Sequence, residues 1–128
     1  MGILDKLLAM DATQLVKKES KEFEVTRLSE LLGEPFIVTI SPLSAKQVEY
    51  IGEVSKGDMD IKRNTVVEAC KIDGKKFTDD EIMNKFGEFT GNNVVGKLFN
   101  AGEISALYAE VSKLSGYNLD AIKEIVKK

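Results

Sequence analysis

The sequence predicts an α+β fold: a small N-terminal two-stranded antiparallel β element packed on a mainly α-helical domain of short helices. Three observations carry this. Residues 22–28 alternate, with Phe23, Val25 and Arg27 on one side and Glu22, Glu24 and Thr26 on the other, as in a half-buried strand. Residues 35–41, PFIVTIS, place β-branched side chains at Ile37, Val38, Thr39 and Ile40, which stiffens the chain toward an extended form. After residue 44, helix-starting patterns of Ser or Thr followed three residues later by Glu or Gln recur. A chain of 128 residues is expected to form one domain. Within it, residues 1–21 form a partly mobile N-terminal segment, 22–57 a strand pair plus helix, and 58–128 a helical part.

The elements follow in order. Ile3, Leu4, Leu7 and Leu8 share a face, so residues 2–10 read as one or two helical turns. Residues 11–21 are polar and lysine-rich around Leu15 and Val16. The two strands pair antiparallel across residues 29–34. A lone two-stranded ribbon is marginal in water, so helices must cover one face. Ser44 with Gln47 forms a capping box, stapled by Leu43 and Val48, for a helix over 45–55 that buries Val48, Ile51 and Val54. Residues 60–72 read as a helix that Asp60 caps, although the β-branched Thr65, Val66 and Val67 weaken it. Thr78 with Glu81 opens a helix over 79–86 that Phe77 and Ile82 staple. Three more helices follow, over 91–100 from a Thr90 cap, over 103–115, and over 119–126. Residues 94–117 are the most regular stretch: Ile104, Leu107, Tyr108, Val111 and Leu114 recur at the spacing of one helix face, with a break at Ala101 and Gly102 and a stop at Gly116.

Composition narrows the function. A net charge of -3 and a pI of about 5.1 give no basic field to hold phosphates, so no nucleic-acid partner is expected. There is no histidine, and Cys70 is the single cysteine, so neither a disulfide nor a Cys-His or Ser-His pair can form within the chain. Cys70 lies in an apolar run and reads as a small buried hydrophobe in a reducing compartment. No apolar run approaches the ~18 residues of a membrane span. The start lacks a secretory signal, and Lys6 stands where N-myristoylation needs Ser or Thr. These features predict a cytoplasmic protein with no membrane partner.

Two short patterns imitate chemistry. Residues 91–97, GNNVVGK, match most of a phosphate-binding loop, but Leu98 replaces the Ser or Thr that holds magnesium, and no strand precedes it. Residues 58–69 begin like a calcium loop, but Lys62, Arg63 and Ala69 occupy the fifth, sixth and twelfth positions, where an oxygen ligand, glycine and glutamate are required. Asp79, Asp80 and Glu81 suit a helix N-terminus better than a metal. No catalytic, cofactor-binding or metal-binding residue is expected, and the chain is not expected to be an enzyme.

Residues 97–117, KLFNAGEISALYAEVSKLSGY, carry a resemblance through the pairs Leu98 and Phe99, Gly102 and Glu103, Leu107 and Tyr108, and the ending Leu114 to Tyr117. The sequence here resembles the tail assembly chaperones of phages and prophage-derived particles, of the XkdN type found with contractile tails. The likeness extends upstream through VTRL at 25–28, GEPFIVTI at 33–40, Leu43 and Ser44, TVVEA at 65–69 and residues 77–87. Asp73 and Gly74 depart from it, since a proline-containing turn is expected there.

The resemblance implies binding without catalysis. Such chaperones associate with the tape-measure protein, a long, largely helical chain, and keep it soluble until tail-tube subunits polymerise around it. It also implies a frameshifted longer form of the chaperone itself as a further partner. Candidate contacts are Leu98, Phe99, Gly102, Glu103, Leu107 and Tyr108, centred on the junction 99–103. Two other readings stay open at this stage: a structural component of the tail or baseplate, and a nucleotide-dependent assembly factor using residues 91–97.

Overall fold

The computed structural model describes residues 2–15, 19–117 and 122–125. Among the described residues, eight helices and three strands run in the order α1 (Ile3–Ala9), α2 (Ala12–Leu15), β1 (Lys21–Glu24), α3 (Thr26–Leu32), β2 (Ile37–Ile40), α4 (Ala45–Val54), α5 (Asp58–Ala69), β3 (Cys70–Lys71), α6 (Asp80–Phe86), α7 (Gly91–Leu98) and α8 (Ala101–Leu114). The α+β class and the antiparallel pairing of the first two strands agree with the sequence reading. The sheet, however, has three strands in the order β1-β2-β3, and the third lies in the middle of the chain.

β1 pairs β2 from Lys21 opposite Ile40 to Glu24 opposite Ile37. The expected strand over 22–28 ends early, because the chain turns into α3 after Val25. Arg27, Leu28, Glu30, Leu31 and Leu32 are good helix formers, and the apolar alternation Phe23, Val25 merely continues into the first turn. The Ser29 hydroxyl accepts from the Phe36 N–H at 2.8 Å, closing the connection to β2.

β3 corrects the expected helix over 60–72. The helix stops at Ala69, and Cys70 turns extended to pair with Ile40, as Lys71 does with Thr39. That pairing makes β2 the central strand, and its Val38 and Ile40 are fully buried. Asp73 and Gly74 both have positive φ (49° and 78°), and Ile72 and Lys75 exchange two backbone hydrogen bonds of 2.9 Å across them. This is the tight turn that Asp-Gly favours in hairpins, and it stands where a proline turn was expected.

α5 lies against α4, α7 and α8, while α8 also covers β2. The core runs through Val38, Ile40, Val66, Phe77, Val94, Phe99, Leu107 and Val111. α4 has the predicted capping box between Ser44 and Gln47, and it buries Ile51, whereas Val54 is exposed rather than core. α6 is capped one residue later than expected: the Asp79 side chain accepts from the Glu81 N–H at 3.0 Å. α7 has its Thr90 cap, and its first residue meets the core closely. A Cβ on Gly91 would lie 3.0 Å from one Val67 methyl and 3.1 Å from the Thr78 methyl, so only glycine lets α7 approach α5 at that point. Half of the expected helix over 119–126 lies outside the described residues; its residues 122–125 carry no helix, and Ile122 and Ile125 are exposed.

Candidate partner-binding site

Among the described residues α8 is the longest helix, with 14 residues, and it begins two residues earlier than the sequence reading placed it. Asn100 is the cap: its side chain accepts from the Glu103 N–H at 2.8 Å, and the Glu103 carboxylate accepts from the Asn100 N–H at 2.9 Å. The break between α7 and α8 is therefore at Phe99 and Asn100, and Gly102 lies inside the first turn of α8.

Ile104, Leu107 and Val111 of α8 are buried, and an apolar groove flanks the helix on each side. The first lies between α4, α5 and α8 and has a volume of about 360 Å³. Val48, Ile51, Ile61, Tyr108, Val111 and Tyr117 supply its apolar lining. Its far end is closed by a bridge: the Ser115 hydroxyl accepts from the Leu43 N–H at 2.9 Å and donates to the Val111 carbonyl at 2.7 Å. Lys62 reaches over the Tyr108 ring, with its ammonium 5.8 Å from the centroid, and holds the Ser105 hydroxyl at 3.3 Å. The Tyr108 ring thus stands as an ordered wall of the groove. The second groove, about 370 Å³, lies between α8 and the β1–α3 corner, and Phe23, Val25, Leu107 and Glu110 are among its walls.

The six candidate contacts are thereby divided. Tyr108 lines the first groove, and Leu107 and Glu103 line the second. Gly102 is on the surface, and Leu98 is half-buried against the core. Phe99 is 3% exposed and packs edge-on against Phe77 and Phe36, with ring centroids 5.7 and 6.3 Å away. Phe99, the first residue of the junction 99–103, is thus part of the core.

Glu103 is engaged from a second direction. Arg27 donates from Nε to Oε2 at 3.0 Å and from Nη2 to Oε1 at 2.8 Å, and Nη2 also donates to the Leu98 carbonyl at 2.9 Å. The Arg27 hydrogen bonds hold the Glu103 carboxyl below its ordinary range, against burial that pushes it up. Glu103 in turn raises the Arg27 guanidinium. A single Arg thereby ties α3 to the α7–α8 junction, a link that no local pattern announces.

A second polar network centres on Asp60 and Asn92. Asp60 accepts from the Lys56 N–H at 2.9 Å and the Asn92 amide at 2.8 Å, and pairs with Arg63 at 3.3 Å. The Asn92 amide also donates to Asn64 at 2.7 Å, which ties α5 to α7. These bonds, the Lys56 amide first, lower the Asp60 pKa. Residues 91–97 are helical from the first glycine, with Gly91, Val94 and Val95 buried, so they form no open loop of N–H groups. Residues 58–69 are likewise helix and not a calcium loop. Cys70 is fully buried, and burial pushes its thiol up to about 12, far from the range of a reactive thiolate. Among the described residues no group of three or more Cys, Asp or Glu side chains could hold a metal ion. Also among them, no helix is long and apolar enough to cross a membrane.

The fold is α+β, with an apolar cleft on either side of α8. The family model for phage XkdN-like tail assembly chaperone proteins matches residues 4–128, and the chain belongs to that family. No curated protein and no solved structure matches it.

Proposed function

We propose that this chaperone binds the tape-measure protein in the host cytoplasm, without catalysis, by taking one of its apolar helical stripes into the groove between α4, α5 and α8. The observation that carries the reading is the groove itself: aliphatic and tyrosine side chains line it, and the only polar side chains there are hydroxyls. A long amphipathic helix exposes stripes that aggregate, and a preformed cleft between helices can cover them reversibly. The acidic balance of the chain keeps the complex soluble until tail-tube subunits replace the chaperone.

The test is co-expression of the tape-measure chain with the wild-type protein and with a Val48→Asp, Tyr108→Ala variant. The wild type is expected to keep the long chain in the soluble fraction and to co-purify with it, while the variant folds but does neither. Equal insolubility of the long chain with and without the wild type overturns the proposal. So does stoichiometric recovery of this protein in purified tails, which marks a structural component instead.

A further inference from the structure

The helix α1 leaves an apolar face in water. Ile3, Leu4, Leu7 and Leu8 are 81, 62, 49 and 74% exposed, and α1 buries none of its residues. A helix of seven residues is far below the ~12–15 that isolated helices need to be even marginal in water, so this one needs a surface to lie on. The groove between α4, α5 and α8 is apolar and open. We infer that α1 docks in that groove of its own chain, as an internal stand-in for the partner helix. The inference rests on the groove being a receptor for amphipathic helices, as proposed above.

The connection permits it. Residues 10–20 join α1 to β1, and with α2 kept helical they reach about 30 Å. A chain of this length has a radius of gyration of only about 14 Å. The tether also joins the body beside the groove, since Glu19 and Lys21 lie in the same surface cleft as Leu43 and Ser115, which line the groove's end. A short tether of this kind gives an effective concentration of about millimolar, so modest apolar contact suffices to close the groove. Docking between copies through α1 is disfavoured by area: its short stripe falls far short of the ~1,200 Å² that a specific interface buries. The described part of the C-terminal segment, residues 122–125, has no helix to offer the groove.

The consequence is regulation. A partner must compete with α1, so the closed fraction lowers the partner's apparent affinity, and the groove exchanges between the open form and one covered by α1 when no partner is present.

The test uses the full chain alone. A nitroxide is attached at Lys6→Cys, which the buried Cys70 thiol leaves as the one reactive site. In dilute sample the label is expected to broaden the NMR signals of Val48, Ile51 and Gly52 several-fold more than that of Asn93. Adding Leu4→Asp and Leu8→Asp is expected to abolish the difference and to raise binding of the dye anilinonaphthalene sulfonate several-fold. Because no residue of α1 belongs to the core, these changes leave the body folded. Equal broadening at Asn93 and the groove overturns the inference. So does broadening seen only when labelled and unlabelled copies are mixed, which assigns α1 to a second copy. The measurement needs no tape-measure chain, so its failure leaves the proposed partner site standing, and failure of co-expression leaves the docking of α1 intact.

Discussion

Arg27 and Glu103, 76 positions apart, form a two-bond ion pair at 2.8 and 3.0 Å, while the same carboxylate closes the capping box of α8. The pair joins the N-terminal strand–helix corner to α8. Since Arg27 also holds the Leu98 carbonyl, the junction between α7 and α8 is fixed from outside as well as by its own cap.

The pair sets a response to acid. The folded Glu103 carboxyl titrates below its ordinary value, and so does Asp60. A depressed carboxyl contributes stability at pH above its unfolded pKa and loses it as pH falls through the folded one. Urea midpoints are therefore expected to hold from pH 7 to 5 and to decline below about pH 4.5. Glu103→Gln, which keeps an acceptor for the Asn100 N–H, is expected to lower the thermal midpoint at pH 7 by a few degrees and to flatten the acid limb. An unchanged acid limb in the variant places the response elsewhere.

Phe99 and Tyr108 are expected to separate folding from binding. Phe99→Ala removes a ring buried between Phe36 and Phe77 and is expected to cost about 3–5 kcal/mol in urea unfolding. Tyr108→Ala opens a half-exposed groove wall and is expected to cost well under half as much while weakening partner capture. A larger loss of stability at Tyr108 than at Phe99 contradicts the assignment of Phe99 to the core.

Gly91→Ala tests the approach of α7 to α5. The new methyl would press on Val67 and Thr78 at 3.0–3.2 Å, and overpacking of this kind costs about 1–3 kcal/mol. Val67→Ala is expected to relieve the part of the strain that Val67 imposes, leaving the Thr78 contact, so the two changes should be less than additive in a double-mutant cycle. Additive losses show that the close approach is not the cause.

Cys70 is expected to resist dithiobis-nitrobenzoate at pH 8, where a thiol raised to about 12 leaves only about one part in ten thousand as thiolate. Reaction should appear together with unfolding as urea is added. The raised pKa also has a sign: its stability contribution is present below about pH 9 and is lost as pH rises toward 12, because the unfolded thiol ionises first. Rapid native reaction at pH 8 shows that the sheet opens locally around β3.

Local features were legible in the sequence wherever a few adjacent residues set the backbone. Ser44 with Gln47, the Thr90 cap, the β-branched run of β2 and the apolar face of α8 all appear where their own chemistry places them. Two misread points carried usable local signals. Asp73 and Gly74 form a hairpin turn that announces β3, and Asn100 with Glu103 forms a capping box that fixes the start of α8.

Other features depend on where distant segments meet. Cys70 leaves its helix because the free edge of β2 needs a partner, as the pairing of Cys70 with Ile40 shows, and an apolar residue at a helix end gives no sign of that. Phe99, read as a surface for another chain, is enclosed by Phe36 and Phe77, and Arg27, read as part of a strand, holds Glu103. By itself the sequence determined the α+β class, the starts of α4 and α7 and the family, because these depend on neighbours in the chain and on the order of packing residues. Only the tertiary structure decided which apolar residues are core and which line a groove, because burial is settled by the segments that come to lie across them.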